Sequence, residues 1–188
     1  VEGPGGAVVV KQALPYVRLV GDSWPLPLDR AFFEWNALER QAPVQPKRLP
    51  QLLRFDPVNA LIVMEYLSPH VILRKELISG RRFKHLAEHL GVFLAETLFR
   101  SSDFHLPTAR KKADMALFAG NVSMCAITEN LVFTEPYFDA PLNRWTRPQL
   151  DGPALALRTD RAAKIGAQEM LYRFATKSEA LLHGDLHT

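Results

Sequence analysis

The hydrophobic period changes once along this chain, and that change constrains the fold more than any other feature. Up to about residue 76 the apolar residues come in short runs bounded by Gly and Pro, with one helical stretch among them. Beyond it they recur at three- and four-residue intervals. Mixed β structure followed by helices reads as a two-lobed α+β arrangement. The boundary falls just after Tyr66-Leu67-Ser68-Pro69, which gives a strand-rich part over 1–67 with one helix and a helical part over 68–188.

Ala7 to Ala13 is β-branched, lies between Gly3-Pro4-Gly5-Gly6 and Pro15, and is predicted as a strand carrying Lys11. From Asp29 the residues Ala31, Phe32, Trp35 and Leu38 predict an amphipathic helix, with Asp29 as its N-cap and Pro43 beyond its end. A Pro-rich connection leads to a strand at 51–55, a turn at Asp56-Pro57 and a buried run from Ala60 to Tyr66. Phe83, Leu86, Leu90, Phe93, Leu94 and Leu98 predict a long helix, with further helices near 110–119, 122–133 and 158–176. Residues 136–153, rich in Pro and without periodicity, are expected to be irregular.

Composition narrows the class. At 188 residues, 47% hydrophobic and 23% charged, the chain suits one globular domain. Its 23 basic and 20 acidic residues leave a formal charge of +3 with no basic block, which argues against a nucleic-acid binder. The single cysteine, Cys125, cannot form an internal disulfide, suits a reducing compartment and is expected to be a small buried residue. No apolar run approaches the roughly 18 residues of a membrane-spanning helix, and no signal peptide is recognisable, so a cytoplasmic location without membrane partners is expected. The sequence starts without Met and stops inside a polar cluster, and it reads as a fragment cut at both ends.

Four features carry candidate chemistry. Lys11 on an apolar strand is ordinarily a solvent-facing residue, yet a fixed ammonium there can hold nucleotide phosphates if a helix carboxylate positions it. Glu34, 23 residues on, offers that carboxylate and sits at the edge of the apolar stripe, whereas Glu39 lies in a more solvated turn. Met64-Glu65-Tyr66-Leu67 ends an apolar strand where backbone groups can bond a planar base. In His183-Gly184-Asp185-Leu186-His187-Thr188, Asp185 can accept a hydroxyl proton as a nucleophile forms. The alternate His183, Asp185 and His187 also admit a metal site, or a loop whose histidines cap backbone groups.

These segments, together with Lys11-Gln12-Ala13-Leu14-Pro15-Tyr16, Ser23-Trp24-Pro25-Leu26, Asp29-Arg30-Ala31, Thr97 to Asp103 and Leu131-Val132-Phe133-Thr134-Glu135-Pro136, resemble the methylthioribose kinase family over nearly the whole chain. These are small-molecule kinases of methionine salvage that share the protein-kinase-like fold with aminoglycoside phosphotransferases and choline kinases. The resemblance implies a truncated version of that fold and an ATP-dependent phosphotransferase acting on the 1-hydroxyl of S-methyl-5-thioribose, with a homodimer as the assembly. It implies that Lys11 contacts the ATP phosphates with Glu34 as its partner. Glu65, Tyr66 and Leu67 would form the hinge that binds adenine through main-chain groups, so that Glu65→Ala should do little. Asp185 would contact the sugar and act as catalytic base, and Ser23 to Leu26 would lie near the nucleotide.

The departures are equally definite. The phosphate-covering glycine loop is expected ahead of Lys11 and reads as missing, since Gly3-Pro4-Gly5-Gly6 lies too close to Lys11 to serve as anything but a hairpin connection. The family's Gly-Ser continuation, its magnesium-binding Asp-Pro-Glu segment and its sugar-holding arginines are expected past Thr188, so these residues alone should be inactive. The His183-Gly184-Asp185-Leu186-His187 core alone specifies only the wider phosphotransferase group, so another aminoglycoside- or choline-kinase-like phosphotransferase is one alternative, and two rivals come from other classes. His85-Leu86-Ala87-Glu88-His89 fits the inverted zinc-hydrolase pattern, a cheap five-residue match on a helix whose Leu86, Leu90 and Phe93 account for its burial. A non-catalytic kinase-like binding module would keep Lys11 and the hinge, and Asp185 argues against it.

Overall fold

The structure is a computed structural model that describes residues 1–3, 6–18, 21–141 and 143–186; the side chain of Asp22 also lies outside the description. It is α+β. The strands are β1 (Glu2–Gly3), β2 (Gly6–Gln12), β3 (Tyr16–Val17), β4 (Gly21–Pro25), β5 (Leu52–Asp56) and β6 (Leu61–Glu65). The helices are α1 (Arg30–Gln41), α2 (Leu73–Ile78), α3 (Leu86–Arg100), α4 (Thr108–Ala119), α5 (Val122–Thr128), α6 (Asp151–Thr159) and α7 (Arg161–Thr176), with a π-helical turn at Glu129–Thr134 and a 3-10 turn at Glu135–Tyr137. No single helix among the described residues is long and apolar enough to cross a membrane.

By internal contacts the chain forms two compact units, Val1–Gly120 with Ala180–Thr188, and Asn121–Glu179. In the first, an antiparallel sheet runs in the order β1-β2-β6-β5, and β3 pairs with β4 apart from it. Strand residues opposite one another share a face. Lys11 lies opposite Ile62 and Val9 opposite Met64, so these four and Ala13 point to the side on which α1 packs. Ile62, only 1% exposed, is the centre of that contact with Ala31 and Ala60, and Trp35 stacks on Phe55 at 5.6 Å beside it. The β5–β6 turn is set by Asp56, whose Oδ1 accepts the N–H groups of Val58 and Asn59 while Oδ2 accepts the Asn59 amide. At its other end α1 is tied to α4 by a half-buried ion pair, Arg40 Nε to Asp114 at 2.7 Å.

In the second unit α7 packs on the π-helical turn, and Gln168 donates to the Phe133 carbonyl at 3.2 Å. Trp145 donates to Asp151 at 2.6 Å and lies under the guanidinium groups of Arg147 and Arg158.

Several local expectations need correction. Asp29 occupies the N-cap position of α1 but is itself helical, with φ −62° and ψ −13°, and its side chain makes no capping bond. An N-cap needs extended backbone for its oxygen to reach the following N–H groups. Phe33, not Phe32, is the buried aromatic of that helix; Phe32 is 40% exposed. The expected helix over 158–176 is two helices broken at Asp160, whose extended backbone caps α7 by accepting from Ala163 at 3.0 Å. The first of them begins inside the segment expected to be irregular. The expected helix over 122–133 widens to a π turn after Thr128. The short α2, β3 and β4 carry too few residues to show a period. Cys125 is half-buried rather than buried.

Candidate functional site

Lys11 and Glu34 come together because two periods coincide. Lys11 shares its strand face with Ile62, and Glu34 lies three residues after Ala31, the residue α1 buries against Ile62. The ammonium donates to both carboxylate oxygens of Glu34, at 2.6 and 2.8 Å. Glu39, five residues on, is turned away and exposed. The pair remains wet, with side chains 55% and 36% exposed, so its contribution to stability is small, about 0–1 kcal/mol for such surface pairs. A two-point hold on an ammonium whose head still faces solvent is a means of orientation more than of stability.

A cavity of about 230 Å³ opens beside this pair, lined by Lys11, Gln12, Ala13, Arg30, Ala31, Glu34 and Ile62. Arg30 is a second cation there. Sequence reasoning gave it no role, although it stands in the Asp29-Arg30-Ala31 stretch; its Nη1 donates to the Pro27 carbonyl at 2.9 Å. A larger cavity, about 570 Å³, lies elsewhere in the same unit between α1, α3 and α4. Its main ions are satisfied among themselves, Asp114 accepting from both Arg40 and Arg110, and Arg100 facing Glu96. We therefore centre the candidate site on the smaller one.

Strand β6 ends at Glu65, and Tyr66 and Leu67 continue it outside the sheet with exposed side chains. Among the described residues, the Leu67 N–H enters no backbone hydrogen bond. The Glu65 side chain has an occupation that sequence reasoning missed: its Oε2 accepts the Gln51 N–H at 3.0 Å, while the Glu65 N–H donates to the Gln51 carbonyl at 2.9 Å.

The segment that carries Asp185 is anchored to the end of α3. The Leu181 N–H donates to Ser101 Oγ at 2.9 Å across 80 residues of sequence, and the buried Lys111 donates to the Ser101 carbonyl. That gives a physical role to the Thr97-to-Asp103 stretch, in which Thr97 and Ser102 are also buried. Gly184 has φ +76°, a left-handed conformation that any residue with a Cβ adopts only under strain. Beyond it the Asp185 N–H donates to His183 Nδ1 at 3.3 Å, and the Asp185 side chain is exposed. His187 and Thr188 lie outside the described residues, so the alternate-histidine metal reading falls there too.

His85 stands at the N-cap position of α3, bonds Glu88 at 3.1 Å and stacks on His89 with centroids 5.9 Å apart. Among the described residues no three His, Cys, Asp or Glu side chains are grouped to hold a metal ion. The zinc pattern is thus met in sequence without a three-ligand group among the described residues.

Comparison with known proteins places these residues in context. No protein-family model matches the chain. It is 50% identical over 189 residues to a methylthioribose kinase of Escherichia coli, an alignment covering 100% of this chain and 45% of that protein. It is 46% identical over 184 residues to methylthioribose kinase 1 of Oryza sativa, with 97% and 43% covered, and 45% identical over 181 residues to a methylthioribose kinase of Yersinia pseudotuberculosis, with 96% and 44% covered. The chain spans less than half the length of the curated relatives it matches.

Proposed function

This chain is homologous along its whole length to the methylthioribose kinases, and from that premise we propose that the whole protein is an ATP-dependent S-methyl-5-thioribose kinase of methionine salvage. The hydroxyl oxygen on carbon 1 of the sugar attacks the γ-phosphorus of ATP, the bond to the β-bridging oxygen breaks, and S-methyl-5-thioribose 1-phosphate and ADP are formed. Asp185 takes the hydroxyl proton, a role that suits an exposed carboxylate carried on a left-handed glycine turn. Lys11, oriented by Glu34, steadies the phosphates as charge moves toward the leaving oxygen. Glu65, Tyr66 and Leu67 form the hinge that receives adenine, and residues 1–67 and 68–188 act as the two lobes on either side of it.

The observation that carries this reading is the two-point bond between Lys11 and Glu34 in a chain with these relatives. Phosphoryl transfer depends mainly on positioning and charge, and this pair is built for positioning. Mg²⁺ belongs to the proposal as the ion that neutralises phosphate charge. The described residues group no three ligands for it, and no step above runs through it. The test is a coupled assay of ADP release by the whole protein with ATP and methylthioribose, choline or an aminoglycoside. Turnover confined to methylthioribose supports the reading; turnover only with another acceptor reassigns the substrate, and none with any acceptor rejects kinase activity.

A further inference from the structure

The last rung of the sheet, where β6 leaves β5, is abnormal in one respect. Residues forming a hydrogen-bonded pair in an antiparallel ladder exchange two bonds, each N–H to the other's carbonyl. Glu65 and Gln51 complete only one of them: the Glu65 N–H donates to the Gln51 carbonyl at 2.9 Å. The returning bond, from the Gln51 N–H, goes to the Glu65 carboxylate at 3.0 Å in place of the Glu65 carbonyl. The ladder is already irregular here, since its register shifts between Leu52 and Arg54. A side chain has thus replaced its own main chain as the acceptor.

We infer that Glu65 is a positioning residue: its carboxylate occupies the Gln51 N–H so that the Glu65 main-chain carbonyl stays out of the sheet and is left to a ligand. This rests on the kinase reading above and deepens it. The freed carbonyl is followed two residues on by the Leu67 N–H, which enters no backbone hydrogen bond among the described residues. In extended backbone the Glu65 carbonyl and the Leu67 N–H point to the same edge, and such an acceptor and donor two residues apart suit a planar base with an exocyclic amino group beside an unprotonated ring nitrogen, as in adenine. The charge matters less than the acceptor, so glutamine at 65 should serve and alanine should not. With alanine, the Gln51 N–H turns to the nearest free acceptor, the carbonyl of residue 65, and the ladder closes on the group the base needs.

The test uses the whole protein and three probes: ADP, inorganic tripolyphosphate and hydrogen exchange. Glu65→Ala should weaken ADP binding about threefold to tenfold, the scale of one hydrogen bond. Tripolyphosphate affinity should stay unchanged, and Glu65→Gln should restore ADP binding to within about twofold. A general structural lesion would move tripolyphosphate and ADP together and so overturns the inference, as does an unchanged ADP affinity in Glu65→Ala. Should Glu65→Ala not fold, exchange at the Gln51 amide of the unmodified protein decides: its protection persists when ADP binds if the carboxylate holds it, and falls if ADP has to displace it from the carbonyl. Failure of the unmodified protein to bind ADP at all would instead reject the kinase reading itself.

Discussion

At the scale of single residues the site combines groups whose worth is directional. Lys11 and Glu34 are both substantially exposed, and removing one changes little that holds the fold together. Lys11→Ala in the whole protein is therefore expected to lower kcat/KM for ATP by roughly two orders of magnitude or more, as loss of a positioned phosphate contact does, while the unfolding free energy from urea titration changes by less than about 1 kcal/mol. Asp185→Asn keeps the shape and removes the base. Turnover should fall roughly 10²- to 10⁴-fold with ADP affinity retained in calorimetry, and a parallel loss of both would remove Asp185 from the base role.

Asp56 offers a pH-dependent check of a different residue. Hydrogen bonds from the Asn59 side chain and backbone, then from Val58, hold its carboxyl below the ordinary 3.8. A group whose folded value is depressed contributes stability above its unfolded value and loses it as pH falls through the folded one. Its stabilising effect on the β5–β6 turn should thus persist at pH 4 and above and vanish only in stronger acid. Carbon-detected NMR titration should give a midpoint under 3.8, and Asn59→Ala should raise it. Cys125 goes the other way, burial and nearby Glu129 pushing its thiol up, which leaves less thiolate at neutral pH.

At the scale of elements, two aspartates in the same nominal position behave differently. Asp160 caps α7 through Ala163, whereas Asp29 precedes α1 without a side-chain bond. Asp160→Ala should cost about 1 kcal/mol and Asp29→Ala distinctly less, compared by thermal unfolding. Equal losses would mean that helix-end charge, not the capping bond, is what counts. The strand β2, helix α1 and hairpin β5–β6 were legible in sequence because each repeats its period several times. The π turn after Thr128 and the break at Asp160 were not, since both depend on how backbone hydrogen bonds are distributed between neighbouring turns, which side-chain spacing does not report.

At the scale of the whole molecule, the chain spans under half of its relatives' length. The 188 residues expressed alone should show no ADP release above background under conditions in which the whole protein turns over methylthioribose. Measurable turnover by the short chain would mean that its own residues suffice for phosphate and metal binding. The arrangement on which the proposed chemistry rests is also of this scale: Lys11 and Asp185 must face one nucleotide triphosphate. A structure of the whole protein with ADP should place both within reach of the phosphates.

What the amino-acid order determined by itself is local and periodic. It placed Lys11 in a β-branched strand, Glu34 on the buried edge of a helix and Asp185 after a glycine, and the same stretches carried the family resemblance. Tertiary structure alone decided which groups satisfy which. Strand register put Lys11 opposite Ile62 and so beside α1, Ser101 took up the Leu181 N–H from 80 residues away, and Gln51 found the Glu65 carboxylate in place of a carbonyl. The physical reason is that a backbone hydrogen-bonding group must find a partner when folding takes it from water, and which acceptor is nearest is settled only when distant segments are packed together.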